Sequence, residues 1–379
     1  MQDDTTYELA IVGGGLAGLA LSIQIAGQGY KVILFEKEQY PFHRVCGEYI
    51  SLESWGFLQR LGVDLESLNV SHIKRLRVSA LNGRSFEQEL PLGGFGISRY
   101  KLDHTLVQIA KQSGVIVYEQ TRVNDIQFSE GNFNIESSKG NFKARVAAGC
   151  YGKRSNLDVK WKRPFIVAKK NKLNNYIGIK YHIRYNFPND LIALHNFKKG
   201  YCGISKVEDD QYCICYLTTA DNLQSSTNDI KNMEQTILSA NPHLKKIFNE
   251  CEKIREDPVI ISQISFDKKE LIEDHVLMIG DAAGMITPLC GNGMSMALHA
   301  SKIAAEEIRK FLNRTNSREL MEQNYSADWN KSFQSRMRAG RMLQRLLSND
   351  GLTTLLITLG KFFPVLIRTL IKKTHGNPF

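Results

Sequence analysis

The chain has 379 residues, of which 42% are hydrophobic and 23% are charged, and it carries a formal net charge of +10 at pH 7. This length excludes a small disulfide-stapled module, and this composition excludes a disordered or collagen-like protein. From Lys331 onward there are nine lysines and arginines and a single acid, Asp350. The positive charge is therefore concentrated in a C-terminal segment, which favours a local anionic partner and argues against a nucleic-acid partner.

The first elements in chain order are a strand, a glycine turn, a helix and a second strand. Apolar runs at residues 9–12 and 31–35 are typical of buried strands, and Leu, Ala and Ile recur at helical spacing over residues 16–26. This succession predicts a βαβ unit and the start of a parallel sheet.

Further along the chain, two types of pattern alternate. The predicted elements are a helix at residues 102–111, a strand at 115–118, a hairpin at 128–142, antiparallel strands between about 161 and 217, a buried strand that begins near 275 and a helix at 293–312. The antiparallel segment interrupts the elements of the first lobe, so we expect that lobe to be discontinuous.

Cysteine usage and the N-terminal residues bear on the compartment. The seven cysteines show no paired Cys-x-x-Cys spacing, which predicts neither a disulfide framework nor a zinc site. The first residues, MQDDTTYE, contain no secretion leader. We therefore expect a cytoplasmic protein. The histidines show no metal-ligand spacing, and the hydrolase and P-loop motifs do not occur.

A glycine-rich turn stands between the first predicted strand and helix. Gly13, Gly15 and Gly18 form a GxGxxG motif, and Glu36 follows the next strand. The first glycine permits the tight turn, the second lets backbone N–H groups approach a pyrophosphate, and the third lets helix and strand pack closely. Glu36 can accept hydrogen bonds from ribose hydroxyls, so the motif predicts a dinucleotide site.

A second block, at residues 276–298, favours FAD over NAD. Asp281 follows a predicted strand, and its carboxylate can bind the hydroxyls of a ribityl chain. Pro288, Gly291 and Gly293 precede a predicted helix, whose N-terminal amides can face the electron-rich edge of a flavin.

The chain resembles the FAD-dependent family that contains the aromatic hydroxylases and geranylgeranyl reductases, and within it the reductase-like branch. The resemblance runs from about Tyr7 to Phe311 and depends on the blocks VGGGLAGL, PFHRVCGEYIS, Ser98-Arg99 with Leu102-Asp103, and GDAAGMITPLCGNGM. It implies a cofactor site formed by Gly13, Gly15, Gly18, Glu36, Arg44, Arg99, Asp281, Pro288, Gly291 and Gly293. In this arrangement Arg99 lies along the phosphates, and Pro288, Gly291 and Gly293 border the isoalloxazine ring.

The resemblance also implies an architecture. We expect an α/β protein with a discontinuous FAD-binding Rossmann-like lobe, an inserted antiparallel β-sheet substrate lobe and a helical C-terminal extension. The predicted FAD-binding parts are residues 1–75, 98–160 and 259–315, the substrate parts are 76–97 and 161–258, and the C-terminal helices are 316–379.

Cys46 is the candidate catalytic residue, because the family places its segment beside the flavin ring. The neighbouring His43 and Arg44 would lower the pKa of its thiol and suit it to redox or proton chemistry. The alternative is that Cys46 is a small buried apolar side chain.

Three departures from the family pattern bear on the activity. Tyr151 stands before Gly152 where the family often has Asp, which argues against direct use of NADPH, so NADPH remains only a candidate electron donor. The reductase motif Tyr-x-Trp-x-Phe-Pro keeps only its tyrosine, Tyr201. The tryptophans Trp55, Trp161 and Trp329 are isolated, which argues against a halogenase.

Two activities fit these residues. The first is reduction of a double bond in a hydrophobic, isoprenoid-like or lipid substrate, and the alternative is FAD-dependent monooxygenation of an aromatic or polyketide-like compound. A flavin-bearing binding or electron-transfer module is a third, non-enzymatic interpretation, which would leave the separate substrate lobe unexplained.

The C-terminal segment has an amphipathic pattern. Apolar residues recur at positions 352, 355, 356, 359, 362, 363, 366 and 370. Lys361, Arg368 and Lys372 fall on another face of the predicted helix, which we expect Pro364 to bend. Such a helix either lies on an anionic membrane, at its inner face, or packs on the substrate lobe or a second subunit.

Overall fold

The computed structural model describes residues 5–167, 176–264, 266–347, 350–362 and 364–379. Its strands are β1 (Thr6–Val12), β2 (Val32–Phe35), β3 (Tyr49–Ser51), β4 (Ser71–Ser79), β5 (Ser85–Gly96), β6 (Ile116–Tyr118), β7 (Val123–Ser129), β8 (Asn132–Ser137), β9 (Gly140–Gly149), β10 (Tyr176–Arg184), β11 (Leu191–Phe197), β12 (Gly200–Lys206), β13 (Tyr212–Thr219), β14 (Glu252–Lys253), β15 (Val259–Ile264), β16 (Ile272–Glu273) and β17 (Val276–Met278). Its helices are α1 (Leu16–Ala26), α2 (Trp55–Arg60), α3 (Arg99–Gln112), α4 (Asn156–Lys160), α5 (Pro164–Val167), α6 (Ala220–Ser225), α7 (Ile230–Thr236), α8 (Pro242–Glu250), α9 (Gly293–Leu312), α10 (Arg318–Leu347), α11 (Asp350–Phe362) and α12 (Pro364–Thr374).

The first sheet carries the βαβ unit predicted from the sequence. Its order is β16-β17-β9-β1-β2-β6, and the five strands from β17 to β6 run parallel. The neighbouring strands β1 and β2 are almost entirely buried, as expected for a parallel sheet covered on both faces. Helix α1 is apolar on all sides because it packs between the sheet, α3 and α9.

The second sheet is the inserted antiparallel lobe. Its order is β14-β10-β13-β12-β11-β4-β5-β3, with β15 paired to β10. Every pair in it is antiparallel except β4 and β11. The fold predicted from the sequence, a discontinuous Rossmann-like lobe with an inserted antiparallel sheet and C-terminal helices, is confirmed.

Several local predictions also agree with the structure. Helices α1 and α9 have the predicted bounds, and β7 and β8 form the predicted hairpin, with Glu130 and Gly131 at its turn. Both turn residues have positive φ, at 51° and 80°, as a tight two-residue hairpin turn requires.

The strands of the second sheet cross the boundaries predicted for the two lobes. Strand β3 and the first half of β4 lie within residues 1–75, and β15 lies within residues 259–315, yet all three pair in the second sheet. The few apolar residues of β4, Ile73, Leu76 and Val78, are separated by cations, so its sequence has no long apolar run that marks a strand.

The C-terminal segment forms two helices that pack on the protein itself. Helix α12 begins at Pro364, where we expected a bend, and both α11 and α12 contact β5 of the second sheet. Of the predicted apolar stripe, Leu356 and Leu370 are partly buried and Leu352 is exposed. The remaining stripe positions, Leu355, Leu359, Phe362, Phe363 and Leu366, lie outside the residues whose side chains are described. Among the described residues, the helices are too short or too polar to cross a bilayer.

Candidate functional site

One cavity of about 1190 Å³ brings the predicted site residues together. The predicted residues that line it are Gly13, Gly15, Glu36, Arg44, Cys46, Arg99, Asp281, Pro288, Gly291 and Gly293. They come from the end of β1, the segment after β2, the start of α3 and the segment between β17 and α9. Gly18 is the only predicted site residue that does not line this cavity.

The three motif glycines have different surroundings. Gly13 has a φ of +106°, and a Cβ there would lie 2.5 Å from the carbonyl oxygen of Cys150. A Cβ at Gly18 would lie 2.1 Å from the carbonyl oxygen of Gly13, so Gly18 allows α1 to pack against the strand end. At Gly15 the nearest atom to such a Cβ is an Arg99 nitrogen at 3.5 Å, which is an ordinary van der Waals distance. Because Gly15 lines the cavity, a side chain at this position would take up cavity space.

Ion pairs line one wall of the cavity. The guanidinium of Arg44 contacts Glu36 Oε2 at 2.9 Å and Asp103 Oδ2 at 3.1 Å. Arg99 donates two hydrogen bonds to the same Asp103, of 2.8 and 2.7 Å. Burial alone would lower the pKa of Arg99, but the Asp103 carboxylate raises it above its ordinary value. The network fixes both arginines and the Glu36 carboxylate beside the glycine turn.

Two helices present uncapped N-termini to the cavity. Gly15 at the start of α1 and Asn292 at the start of α9 make no side-chain capping hydrogen bond. The adjacent Gly293 and Leu16 line the cavity. Free N–H groups and the helix dipole make such an end a binding site for negative charge. Two such ends, with Glu36 for a ribose and Asp281 for a ribityl chain, fit the phosphates and the flavin edge of FAD.

Cys46 lines the cavity, but its surroundings differ from the expectation. Burial, followed by the positive charges of Lys180 and His182, lowers the pKa of His43 to about 4, so this imidazole is uncharged at neutral pH. The Arg44 guanidinium is already paired with two carboxylates. Neither residue therefore offers the free positive charge that was expected to activate the thiol. Its placement beside a ring stays a prediction.

A buried charge cluster next to Cys46 was missed by the sequence analysis. Glu48 is fully buried, with a φ of +55°, and its carboxylate accepts hydrogen bonds from Lys180 Nζ and, at 2.8 Å, from the backbone N–H of Arg99. The second carboxylate oxygen lies 2.6 Å from His182 Nε2. Burial would raise the pKa of Glu48, but Lys180 and His182 lower it to about 2. The signal in the sequence was a lysine and a histidine inside the otherwise apolar strand β10.

The cluster is an ion-pair network and not a metal site. Ligand atoms of Glu48, His182 and Cys213 lie within 4.8 Å of one another. However, the Lys180 ammonium forms an ion pair with the Glu48 carboxylate. Cys213 Sγ donates a hydrogen bond to the carbonyl oxygen of Cys46 at 3.3 Å. A divalent cation would have to displace both contacts.

Tyr151, which stands where the family often has Asp, belongs to a second buried network. Its hydroxyl donates to Asp158 Oδ1 at 2.8 Å, and Arg163 contacts the same oxygen at 2.9 Å. Nearby, Lys269 Nζ donates to the carbonyl oxygens of Lys153 and Asp281, both at 2.8 Å, and burial lowers the pKa of Lys269 to about 8. Lys269 thus joins the segment after β9 to the segment that carries Asp281.

The other end of the cavity is an apolar chamber between the second sheet and the C-terminal helices. Its lining side chains are Leu76, Val78, Phe86, Leu90, Ile192 and Leu194 from the sheet and Leu343, Leu356, Ile357, Ile367, Leu370 and Ile371 from the helices. The chamber is continuous with the cofactor end of the cavity. None of the tryptophans Trp55, Trp161 and Trp329 lines the chamber. The expectation that the protein is not a halogenase remains a prediction.

Comparisons with known proteins place the chain among flavoproteins. A family model described as FAD binding domain matches residues 6–338. The conditioned medium factor receptor 1 of Dictyostelium discoideum is 23% identical over 358 residues, which cover 87% of this chain and 69% of that protein. The digeranylgeranylglycerophospholipid reductase of Methanococcus vannielii is 23% identical over 367 residues, covering 92% and 89%.

Other similar proteins carry out different flavin chemistry. A kynurenine 3-monooxygenase of Flavobacterium johnsoniae is 24% identical over 336 residues, covering 81% of this chain and 74% of that protein. Among solved structures, the flavin-dependent brominase Bmp2 superposes with a TM-score of 0.80 at 18% identity, covering 98% of this chain and 93% of that chain. At this identity the structural likeness shows the fold alone.

Proposed function

Because the chain belongs to the FAD binding domain family and is a flavin-dependent oxidoreductase, we propose that it reduces a double bond in an isoprenoid-like lipid. The observation that carries this proposal is the apolar chamber, whose leucine, isoleucine, valine and phenylalanine side chains line the same cavity as the predicted cofactor residues. A long apolar chain gains about 0.8 kcal/mol for each CH₂ group that it buries there. A small polar substrate would gain nothing from such a surface.

The residues of the cavity divide the work. When bound, FAD supplies the hydride, and the protein binds and orients the reactants. The uncapped end of α1 and Gly15 would hold the pyrophosphate, Glu36 would accept hydrogen bonds from the ribose, and Asp281 would accept them from the ribityl chain. The uncapped end of α9, with Pro288 and Gly291, would contribute to binding of the flavin. The apolar chamber would exclude water and hold the lipid chain.

Product analysis tests the reaction directly. The FAD-loaded protein is reduced by light without oxygen and mixed with a geranylgeranyl lipid, so the test does not depend on whether NADPH is the natural donor. The proposal predicts a product heavier by two hydrogen atoms and reoxidation of the flavin that requires the lipid. A product heavier by one oxygen atom, formed from an aromatic compound only when oxygen is admitted, would establish the monooxygenase alternative instead.

Shortening the chamber tests the substrate class. Leu194→Trp fills part of the chamber, so KM should rise more for a long isoprenoid chain than for a short one. The matched control, Ile116→Trp, places the same side chain on the partly exposed edge strand β6 and should leave both KM values unchanged. An equal effect of Leu194→Trp on both chain lengths would contradict the assignment of the chamber.

Cys46 is tested separately, because it lines the same cavity as the predicted cofactor residues. We expect Cys46→Ser to retain FAD and to lower turnover with the lipid substrate. Unchanged kinetics would assign Cys46 to packing.

A further inference from the structure

The outer surface of α10 is cationic with an apolar residue at its centre. Arg338, Met342 and Arg345 recur at helical spacing and are all exposed, with Met342 57% exposed. Leu343, the next residue of the same helix, lines the apolar chamber. Helix α10 therefore contributes both to the chamber and to the exposed cationic surface.

Helix α12 repeats this arrangement. Val365, Arg368 and Lys372 recur on one face, followed by Lys373, and all four are exposed. Val365 is 75% exposed, the highest value among the exposed large hydrophobic residues described. Ile367 and Ile371 of the same helix line the chamber.

The exposed faces of α10 and α12 carry positive charge. Residues 331–347 and 364–374 contain no Asp or Glu. Among the described side chains, Glu53 pairs with Arg336, which is largely buried. On the exposed faces, Glu89 of β5 has its Oε2 3.9 Å from an Arg368 nitrogen, and both side chains are exposed. A single exposed pair of this length neutralises little of the surface.

We propose that these two faces form a docking surface for an anionic lipid bilayer, consisting of Arg338, Met342, Arg345, Val365, Arg368, Lys372 and Lys373. Cations attract anionic headgroups, while exposed Met342 and Val365 enter the interface, a combination typical of helices that lie on membranes. Helices α10 and α12 contribute residues to both the docking surface and the chamber. A lipid substrate of the proposed reductase would thus pass from the bilayer into the chamber without crossing bulk water, and only this last step rests on the proposed function.

Vesicle sedimentation with the full-length, FAD-loaded protein tests the docking. The protein should sediment with vesicles of phosphatidylcholine and phosphatidylglycerol and stay in solution with phosphatidylcholine alone. Reversal of Arg368, Lys372 and Lys373 to Glu should weaken binding at least about 100-fold, since each cation near an anionic surface contributes about fivefold. Met342→Ser with Val365→Ser should weaken it as well, and added salt should weaken the unmodified protein.

A matched control changes the same charge elsewhere. Lys231, Lys245 and Lys246 are exposed on α7 and α8, and their reversal to Glu should leave vesicle binding unchanged. Equal loss in both triple variants, equal binding to neutral vesicles, or no binding at all would overturn the proposal. So would tight binding of RNA or DNA through the same cations without vesicle binding. The measurement uses no substrate, so its result is independent of the proposed reductase activity. Docking can be disproved while the reductase activity is confirmed, and docking can be confirmed while the reductase activity is disproved.

Discussion

Gly15 and Gly18 belong to one motif but should respond differently to the same substitution. The valine methyl groups of Gly15→Val would take up cavity space at the end of α1, so the protein should fold but lose FAD. In Gly18→Val the new Cβ would meet the Gly13 carbonyl oxygen at 2.1 Å, so the fold itself should be destabilised. Flavin absorbance after purification and the thermal unfolding midpoint separate the two effects. A fully yellow Gly15→Val protein would remove Gly15 from the site.

Glu48 contacts Lys180 and His182 of the distant strand β10. We expect its negative charge to contribute more to the stability of the fold than its shape does. Glu48→Gln leaves the Lys180 ammonium, which is 1% exposed, without its carboxylate. Loss of one partner of a buried ion pair typically lowers the free energy of unfolding by about 3–5 kcal/mol. Urea unfolding measures this loss, and the double variant Glu48→Gln with Lys180→Met should recover part of it.

Two results would argue against this interpretation. The control Glu38→Gln removes an exposed carboxylate that pairs with Lys37, and it should change the stability by less than about 1 kcal/mol. If Glu48→Gln were equally mild, or if the double variant were no more stable than the single one, the cluster would not be a coupled ion-pair network.

At the scale of elements, the last residues tie α12 to the first lobe. The Phe379 ring stacks on His299 at 4.2 Å and also contacts Phe57, and its backbone N–H donates to the Glu53 carbonyl oxygen. Asn292 Nδ2 donates to the carbonyl oxygen of Thr374 at 2.9 Å. These contacts hold α11 and α12, which we call the helical roof, against the apolar chamber.

Deletion of residues 376–379 should therefore loosen the roof. The expected result is a lower thermal midpoint and increased fluorescence of a lipophilic dye, because the apolar lining becomes accessible, while FAD stays bound. Val365→Ser, at an exposed position of α12, is the control and should change neither reading. A deletion variant with unchanged dye binding would show that the contacts of Phe379 are not needed to hold α11 and α12 in place.

At the scale of the whole molecule, buried groups predict sensitivity to acid. Burial, followed by the charge on His243, lowers the pKa of His195 to about 3, and burial lowers the pKa of His299 to about 4. Unfolded histidines titrate near 6.5, so below that pH the unfolded chain binds more protons than the folded one. Stability should be complete above about pH 6.5 and should fall as the pH is lowered toward 3.

Glu48 extends the same trend to lower pH. Its pKa is about 2 in the folded protein, against 4.5 ordinarily, so its contribution is present above about 4.5 and is lost as the pH falls toward 2. Urea unfolding at a series of pH values measures the slope, and His195→Gln should flatten it between pH 6.5 and 4. A stability that rises on acidification would contradict the buried, neutral state of these histidines.

The sequence by itself determined the local elements and named ten residues that line one cavity of the structure. The βαβ unit, α9 and the hairpin of β7 and β8 follow from apolar periodicity and turn residues, which act over short stretches of chain. The glycine motif and the residues from Asp281 to Gly293 could also be recognised from the sequence, because the functional residues of each block lie within a few positions of one another. That these blocks meet in one cavity follows from the parallel order of β1, β9 and β17, whose ends lie side by side.

Only the tertiary structure decided how distant segments meet. Glu48 lies more than 130 residues from Lys180 and His182 in the chain, so no local pattern could show that their charges compensate one another. The amphipathic tail was compatible with a membrane, a second subunit or the substrate lobe, because periodicity gives an apolar face but not what covers it. The structure packs α11 and α12 on β5, and Leu356 and Leu370 of the predicted apolar face line the apolar chamber, where burial removes them from water.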